Sequence, residues 1–544
     1  MTSLSRRTVL RAAGTVAAAG AVVVPVTTAR STPAAAATGT FTHGVASGDP
    51  LPDGVLLWTR VTPRRDAKPG SGRGPAVPVR WEVSTTSDFR RIVARGTAKT
   101  GPERDHTVKV DVRGLLPATG YWYRFISGHE QSPVGRTRTA PAEQAAVDLL
   151  RVGVVSCANL QAGYFSSYRH LAARGDLDLV LHLGDYLYEY APGEYQARDV
   201  VVRPHDPPVE MTTLEHYRRR HAQYKQDPDL QALHAAVPFV VTWDDHESTN
   251  DAWEGGAENH TEGAEGAWVD RRAAAMQAYA EWMPVRYEAG GQLYRRLAFG
   301  SLASISMLDL RSYRDQQAAT TTDPAIGDPD RSITGEAQME WLLDGLSTQQ
   351  AQWKLVGNSV MITPVLFPPA LGAAAVEGME KLMGATTVDG VPYNIDQWDG
   401  YTADQSRVLR HLGDNGIENT VFLTGDIHSG WACDLPADRA TYPVTGASVG
   451  TELVCTSVTS DNLDDILGAP PRTASLGVEA RFRTNNPHVK YLDFDSHGYS
   501  VLEVRPGGMR MDWYVLSDRT DRAATSSLSE SFQVLAGTQK VSRI

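Results

Sequence analysis

Short apolar runs recur along this chain, and each stops at a polar or ionisable residue. Leu179-Val180-Leu181-His182-Leu183 sets four apolar side chains in five positions before Gly184-Asp185, and a run of that kind bounded by glycine predicts a short buried strand. Leu150 to Val155 runs into Ser156-Cys157, and Pro238 to Trp243 runs into Asp244-Asp245-His246-Glu247. Ile305 to Leu308 reaches Asp309-Leu310-Arg311, Trp353 to Val356 reaches Gly357-Asn358, and Thr420 to Thr424 reaches Gly425-Asp426-Ile427-His428. Between these runs, helical patterns cover 164–173, 214–226, 269–283, 335–346 and 403–412. Strands alternating with helices predict an α/β layered fold with at least one central sheet. The tail from Val489 to Leu516 returns to strand-type alternation and could close a second sheet.

Earlier in the chain the period is two. Gly54 to Arg60, Val79 to Ser84 and Thr107 to Val112 alternate as strands, and Leu116 to Phe125 reads like the tyrosine-corner entry to a late strand of an immunoglobulin or fibronectin-like sandwich. The reading is therefore a small all-β domain over 38–134, a linker over 135–148 and an α/β catalytic domain over 149–544. Thr249 to Gly266 and Thr363 to Tyr401 read as irregular, and the apolar pieces of the second suit a lid over a site.

A length of 544 residues exceeds what one core usually supports, which agrees with two domains behind a leader. With 42% hydrophobic and 21% charged residues the composition is that of a soluble globular protein, and the net charge of -12 argues against a nucleic-acid-binding surface. Residues 1–37 have the grammar of an export signal: Arg6-Arg7, a weakly apolar Ala-rich run, then small residues, which resembles a twin-arginine leader read by the translocation machinery of that route. No other stretch approaches the ~20 apolar residues of a membrane span, so the mature protein is expected to be secreted, without a stable span. Of three cysteines, Cys433 and Cys455 could pair in an oxidising compartment, leaving Cys157 free.

The residues at the strand ends are those of a dinuclear metal centre. Asp185 with Tyr188, Asp426 with His428, Cys157 and the Asp244-Asp245-His246 group let one carboxylate bridge two cations, with a softer and an oxygen-rich ligand set on either side. A phenolate and a thiolate favour ferric iron; aspartates and Asn358 favour a hard ion such as calcium or manganese. Blander roles stand beside these. A lone Cys at a strand end is more often a small buried hydrophobe, and Arg311 could be a structural ion-pair partner of Asp309. His246 could orient a ligand, protonate a leaving group or only pack, Asn358 could orient a ligand without touching metal, and His497 is a candidate pocket residue.

Gly184-Asp185-x-x-Tyr188, Trp243-Asp244-Asp245-His246-Glu247 and Gly425-Asp426-x-His428 resemble the metallophosphoesterases, and within them the alkaline phosphatase D family. The likeness runs from His43-Gly44-Val45-Ala46-Ser47-Gly48-Asp49-Pro50 to Asp495-Ser496-His497-Gly498-Tyr499, nearly the whole chain. It implies a β-sandwich flanked by helices for the catalytic domain and a secreted hydrolase of phosphodiesters or phosphomonoesters with an alkaline optimum. Some members of that family act as phospholipases D. It implies iron, Fe(3+), on Cys157, Asp185, Tyr188 and His428, and calcium, Ca(2+), on Asp185, Asp245, Asn250 and Asp426, with Asp244 beside them. Arg311, His246 and Asp426 become the candidate catalytic residues, and Arg311 and Asn358 the candidate substrate-binding ones. The chain departs from the wider pattern where Ser156-Cys157 replaces Asp-x-His and where Asp244-Asp245-His246 replaces Asn-His. The rival from another class is a non-catalytic extracellular protein that holds phosphate or metal with the same residues.

Overall fold

The computed structural model describes residues 39–195 and 200–544; the proposed leader lies outside them. The apolar runs form the strands they predict: Leu150–Val155, Leu179–Leu183, Phe239–Thr242, Ala303–Met307, Trp353–Asn358 and Thr420–Thr424. The helices Ser166–Arg174, Leu214–Lys225, Trp268–Trp282, Glu336–Thr348 and Thr402–Asp414 fall within a residue or two of their predicted bounds.

Strand Leu179–Leu183 shows how sequence period becomes layering. Side chains of a strand alternate between faces, so Leu179, Leu181 and Leu183 enter one apolar core while Val180 enters another. The first core is shared with Leu297, Ile305, Met307, Leu355, Val421 and Leu423 of a second sheet, which places the two sheets face to face. The second core is formed with helices Ser166–Arg174, Leu214–Lys225, Pro228–Ala236 and Trp268–Trp282, through side chains such as Tyr168, Tyr217, Leu233 and Tyr279. Helices Glu336–Thr348 and Thr402–Asp414 cover the other face of the second sheet through Met339, Leu342, Val408 and Leu412. Fully burying a leucine or valine contributes about 1.5–3 kcal/mol, and these strands are buried throughout.

The first sheet has ten strands. Leu179–Leu183 lies between Leu150–Val155 and Phe239–Thr242, all parallel, with Leu183 level with Thr242 and His182 with Val155. The strand ends carrying Cys157, Asp185 and Asp244 therefore finish side by side. In the seven-stranded second sheet Trp353–Asn358 and Thr420–Thr424 are parallel neighbours, Asn358 level with Thr424. The tail divides between the sheets: Val489–Asp493 joins the second, while Gly498–Arg505, Gly508–Leu516, Ser526–Leu535 and Val541–Arg543 extend the first.

The N-terminal strands divide as well. Val77–Ser84, Ile92–Thr100, Gly120–Ser127, Glu130–Gln131 and Gly135–Arg138 make a five-stranded sheet. Val45–Leu51, Gly54–Arg60 and Thr107–Arg113 continue the ten-stranded one, Gly48 pairing with Phe239. An apolar core joins the two sets through Val55, Leu57, Val79, Val83, Tyr123 and Phe125. Tyr121 has the corner geometry its sequence suggests, its hydroxyl accepting the Leu116 N–H at 2.9 Å. The 363–401 stretch contains a helix, Ala373–Met383, whose Met379 and Met383 pack against Leu463, Val478 and Phe482. All three cysteines are buried and unpaired. Among the described residues no helix is long and apolar enough to cross a membrane.

Candidate active site

Where the strands of the two sheets end, backbone geometry turns the side chains inward. Cys157, Asp185, Asp426 and His428 all have left-handed backbone, with φ of 58°, 54°, 64° and 51°. For residues with a Cβ this conformation costs about 1–2 kcal/mol each, and such strain collects at functional sites because the surrounding fold must hold it. The flanking glycines allow close approach. A Cβ on Gly184, itself at φ 104°, would meet Asp244 Cβ at 2.5 Å, and one on Gly425 would meet Ser156 Cβ at 2.7 Å.

These turns assemble overlapping sets of metal-type donors. Cys157, Asp185 and His428 bring their donor atoms within 4.8 Å of one another, and so do Asp185, Asp245 and His246; Asp185, Asp244 and Asp426; and Asp245, Asp251 and Asp396. Asp185 belongs to three of the four, the position a bridging carboxylate needs. Tyr188 joins the first set: its hydroxyl donates to Asp185 Oδ2 at 2.8 Å and lies 3.3 Å from His428 Nε2. Ser460 donates to the same phenol oxygen at 2.6 Å, and the Asp461 carbonyl lies 2.7 Å from His428 Nδ1, which leaves Nε2 for the cluster.

Burial, with Asp245 and Asp244 adding to it and His246 opposing, pushes the Asp185 carboxyl well above the carboxylate range. Burial and the Asp244 carboxylate do the same for Asp426. Burial and the Asp185 charge push up the Cys157 thiol and the Tyr188 phenol. So many buried acids at one point call for positive charge. Asp185 Oδ1 meets that description directly: it is buried and has no hydrogen-bond partner, as a ligand atom awaiting a cation would be. The donor set fits a softer cation at the Cys157–Tyr188–His428 corner and a harder one among Asp244, Asp245 and Asp426.

The remaining sequence candidates are placed as follows. Arg311 is buried at the centre: Nε and Nη2 donate to Asp244 at 2.6 and 2.8 Å, Nη1 donates to both oxygens of Asp396, and Nη2 lies 3.8 Å from Asp245 and from Asp426. Asp309 takes backbone N–H groups of Arg311 and Ser312 and the Trp243 indole instead of the guanidinium. His246 sets Nδ1 2.8 Å from Glu189 and lies against the Tyr188 ring at 4.1 Å between centroids. Although burial opposes it, the Asp245, Asp185 and Glu189 carboxylates raise the His246 pKa well above the usual imidazole range. Asn250 is buried, its N–H donating to Glu189 at 2.9 Å, and it is the next residue, Asp251, whose N–H reaches Asp245 at 2.6 Å. Asn358 is engaged within the second sheet, donating to Val360, Thr424 and Glu452 and accepting from Trp398. His497 lies with Arg519 and Asp465, one layer behind His428.

Four site residues escaped sequence reasoning. Glu247 accepts three backbone N–H groups, those of Asp185, Tyr186 and Asp244, and so ties the Asp185 and Asp244 turns together. Glu189 gathers His246, Thr249, Asn250 and Asn259. Gln397 donates to Asp426 at 2.9 Å, and Asp396 holds both Arg311 and Arg314. Glu189 and Glu247 carried a signal, as carboxylates inside otherwise apolar or aromatic motifs; Asp396 and Gln397 stand in a stretch without periodicity.

The comparisons agree with this geometry. The profile of the PhoD-like phosphatase family matches residues 152–513, and that of its N-terminal domain matches 27–141. Alkaline phosphatase D of Bacillus subtilis (strain 168) is 39% identical over 503 residues, spanning 90% of this chain and 80% of that protein. A solved structure described as the structure of PhoD superposes with a TM-score of 0.82 at 37% identity, covering 93% of this chain and 92% of that one. A buried cluster of metal donors at the joined ends of two sheets, and likeness along nearly the whole length, lead to one conclusion: the chain belongs to the PhoD-like phosphatase family and is a phosphoric ester hydrolase.

Proposed function

We propose that this protein is an exported hydrolase of phosphodiesters and phosphomonoesters with an alkaline optimum, working by in-line attack of water on phosphorus without a phosphorylated protein intermediate. The observation that carries this is Asp185, shared among three donor sets with one carboxylate oxygen left without a hydrogen bond. Cys157, Asp185, Tyr188 and His428 would hold ferric iron, and Asp185, Asp244, Asp245, Asn250 and Asp426 would hold calcium. Bound there, the cations supply a water acidic enough to react near neutral pH and withdraw charge from the phosphoryl oxygens.

The chain's own groups do the rest. Arg311 holds Asp244 in a two-point grip and brings its guanidinium to the middle of the carboxylate cluster, where a phosphoryl group would sit. His246, fixed through Nδ1 on Glu189, lines a pocket with Asp426 and His428 and would protonate a departing alcohol there. Asn358 acts from the second sheet by holding Trp398, next to Gln397 on Asp426. The layering is proposed to be that of the metallophosphoesterases, preceded by an immunoglobulin-like domain over 38–134, and export to follow the twin-arginine route; replacing Arg6 and Arg7 with lysine should trap the protein in the cytoplasm. Hydrolysis of bis-p-nitrophenyl phosphate by purified, metal-replete protein tests the activity, and protein that binds metal and phosphate without turnover would overturn it.

A further inference from the structure

One short loop, Thr459-Ser460-Asp461, touches Cys157, Tyr188 and His428 together. The Cys157 carbonyl takes the N–H groups of Thr459 and Ser460, each at 3.2 Å, and lies 2.9 Å from the Ser460 hydroxyl. That hydroxyl also reaches the Tyr188 phenol oxygen, and the Asp461 carbonyl lies 2.7 Å from His428 Nδ1. Residues with a Cβ stay in left-handed backbone only where their surroundings hold them, and for Cys157 and His428 this loop is part of what does so.

The loop lies outside the helices and strands, and it is gripped by Arg519, which stands 58 residues beyond Asp461. Arg519 sits in the turn between strands Gly508–Leu516 and Ser526–Leu535 of the ten-stranded sheet. Its side chain is buried; Nη1 donates to the Thr459 carbonyl, and Nη2 donates to the Asp461 carboxylate and lies 3.0 Å from that of Asp465. Its own carbonyl accepts the Tyr164 N–H at 2.8 Å, and a Cβ on Gly163 would meet that oxygen at 2.7 Å, so the turn is packed closely against the segment that follows Cys157. His497 sets Nε2 2.9 Å from the Ser460 carbonyl and 3.0 Å from Arg519 Nη1.

The geometry points to Arg519 as a positioning residue: by holding Thr459 and Asp461 with the two arms of one guanidinium, it sets the loop that aims Cys157, Tyr188 and His428 at a common metal ion. This rests on the reading of that corner as a metal site. A planar fork can hold a carbonyl and a carboxylate two residues apart in one fixed arrangement, which the single ammonium of a lysine cannot. Groups that orient a metal's ligands typically change its affinity about 10–100-fold, and here one arginine stands behind three donors.

Cobalt(II) titrated into chelator-treated protein tests this without turnover. A thiolate-to-cobalt charge-transfer band reports on Cys157, and Cys157→Ser should remove it. Arg519→Lys keeps the charge and loses the fork, so it should weaken cobalt binding at least about tenfold and lower the band at saturation. Ser460→Ala trims one hydroxyl, and it should shift the band with a smaller loss of affinity. Denaturant melts of the metal-free proteins select conditions in which each is folded, where a lower stability alone moves neither the band nor the affinity. Either variant matching the parent in both readouts would overturn the role, and Ser460→Ala decides alone if the lysine variant does not fold. A parent without the thiolate band removes the metal corner and the positioning role with it. Turnover of bis-p-nitrophenyl phosphate by metal-replete parent separates the two ideas. Turnover with a band indifferent to both variants keeps the esterase and removes the positioning, and a band that responds without turnover does the reverse.

Discussion

Glu247 is the residue whose replacement should be felt furthest from its own position. Its Oε2 takes the N–H groups of Asp185 at 3.1 Å and Asp244 at 2.9 Å, and its Oε1 takes that of Tyr186 at 2.8 Å. All three donors are buried, and leaving a buried donor unsatisfied costs about 1–3 kcal/mol. Three such donors put the cost of Glu247→Ala at about 3–9 kcal/mol, against the 5–15 kcal/mol that typically keeps a domain folded. Glu247→Gln is the sharper probe. Its amide oxygen can still serve Asp185 and Asp244, while its nitrogen meets the Tyr186 N–H, so the loss falls to about 2–3 kcal/mol. The turns carrying Asp185 and Asp244 would then be free to separate, and a misplacement near 1 Å can cost about a hundredfold in rate. Guanidinium denaturation of chelator-treated protein measures the first effect, and turnover of bis-p-nitrophenyl phosphate after metal reloading measures the second. A Glu247→Gln protein matching the parent in both would refute the reasoning.

Other outcomes follow from the same geometry. Arg311→Lys cannot hold Asp244 and Asp396 together, so it should lose about 2–3 kcal/mol in denaturant melts together with most turnover; an unchanged midpoint would show that the grip on Asp244 contributes little. If Tyr188 and Cys157 ligate iron, the purified protein is coloured, Tyr188→Phe shifts or bleaches the visible band, and Cys157→Ser lowers iron content; stoichiometric zinc without iron in active protein would remove the assignment. Burial and the nearby Asp227 carboxylate push Asp229 up to about 6, so its folded-state value lies above the unfolded one. Its contribution is complete below about pH 4 and is lost as pH rises through 6, so the stability of Asp229→Asn relative to the parent should improve by about 1–2 kcal/mol between pH 4 and 7, measured on chelator-treated protein. A flat difference across that range would contradict the shift.

Much of the framework was legible because strand ends are local events. An apolar run of five or six residues followed by Gly-Asp or Ser-Cys announces both the strand and its turn, and Leu179–Leu183 and Thr420–Thr424 formed where the pattern put them. Helix Trp268–Trp282 was visible for the same reason. Helix Pro228–Ala236 was not, because at nine residues it follows directly on another helix and shows little period of its own. The N-terminal strands were visible one by one, but nothing in Val45–Leu51 announces a parallel partner nearly two hundred residues away at Phe239. The donor-type residues that meet at the strand ends were legible, and their supports were not. Glu189 and Glu247 act on backbone N–H groups, which carry no residue signature, and Asp396 and Gln397 reach the cluster from an aperiodic loop.

The parallel pairing of Gly48 with Phe239 ties the two ends of this architecture together. Asp49, next to Gly48, accepts two hydrogen bonds from Arg295 of the second sheet, Trp58 donates to the Glu281 carbonyl, and Lys109 donates to the carbonyls of Ala280, Val285 and Tyr287. Removing residues before about 141 would therefore bare the edge of strand Phe239–Thr242 two residues from Asp244, leave those carbonyls without donors, and strip the outer face of Trp282. An exposed, flat, apolar strand edge is a template for pairing between molecules. Shortened to its phosphatase part alone, this chain would aggregate edge to edge, and the strand that frays first would be the one that leads into Asp244 and the carboxylate cluster.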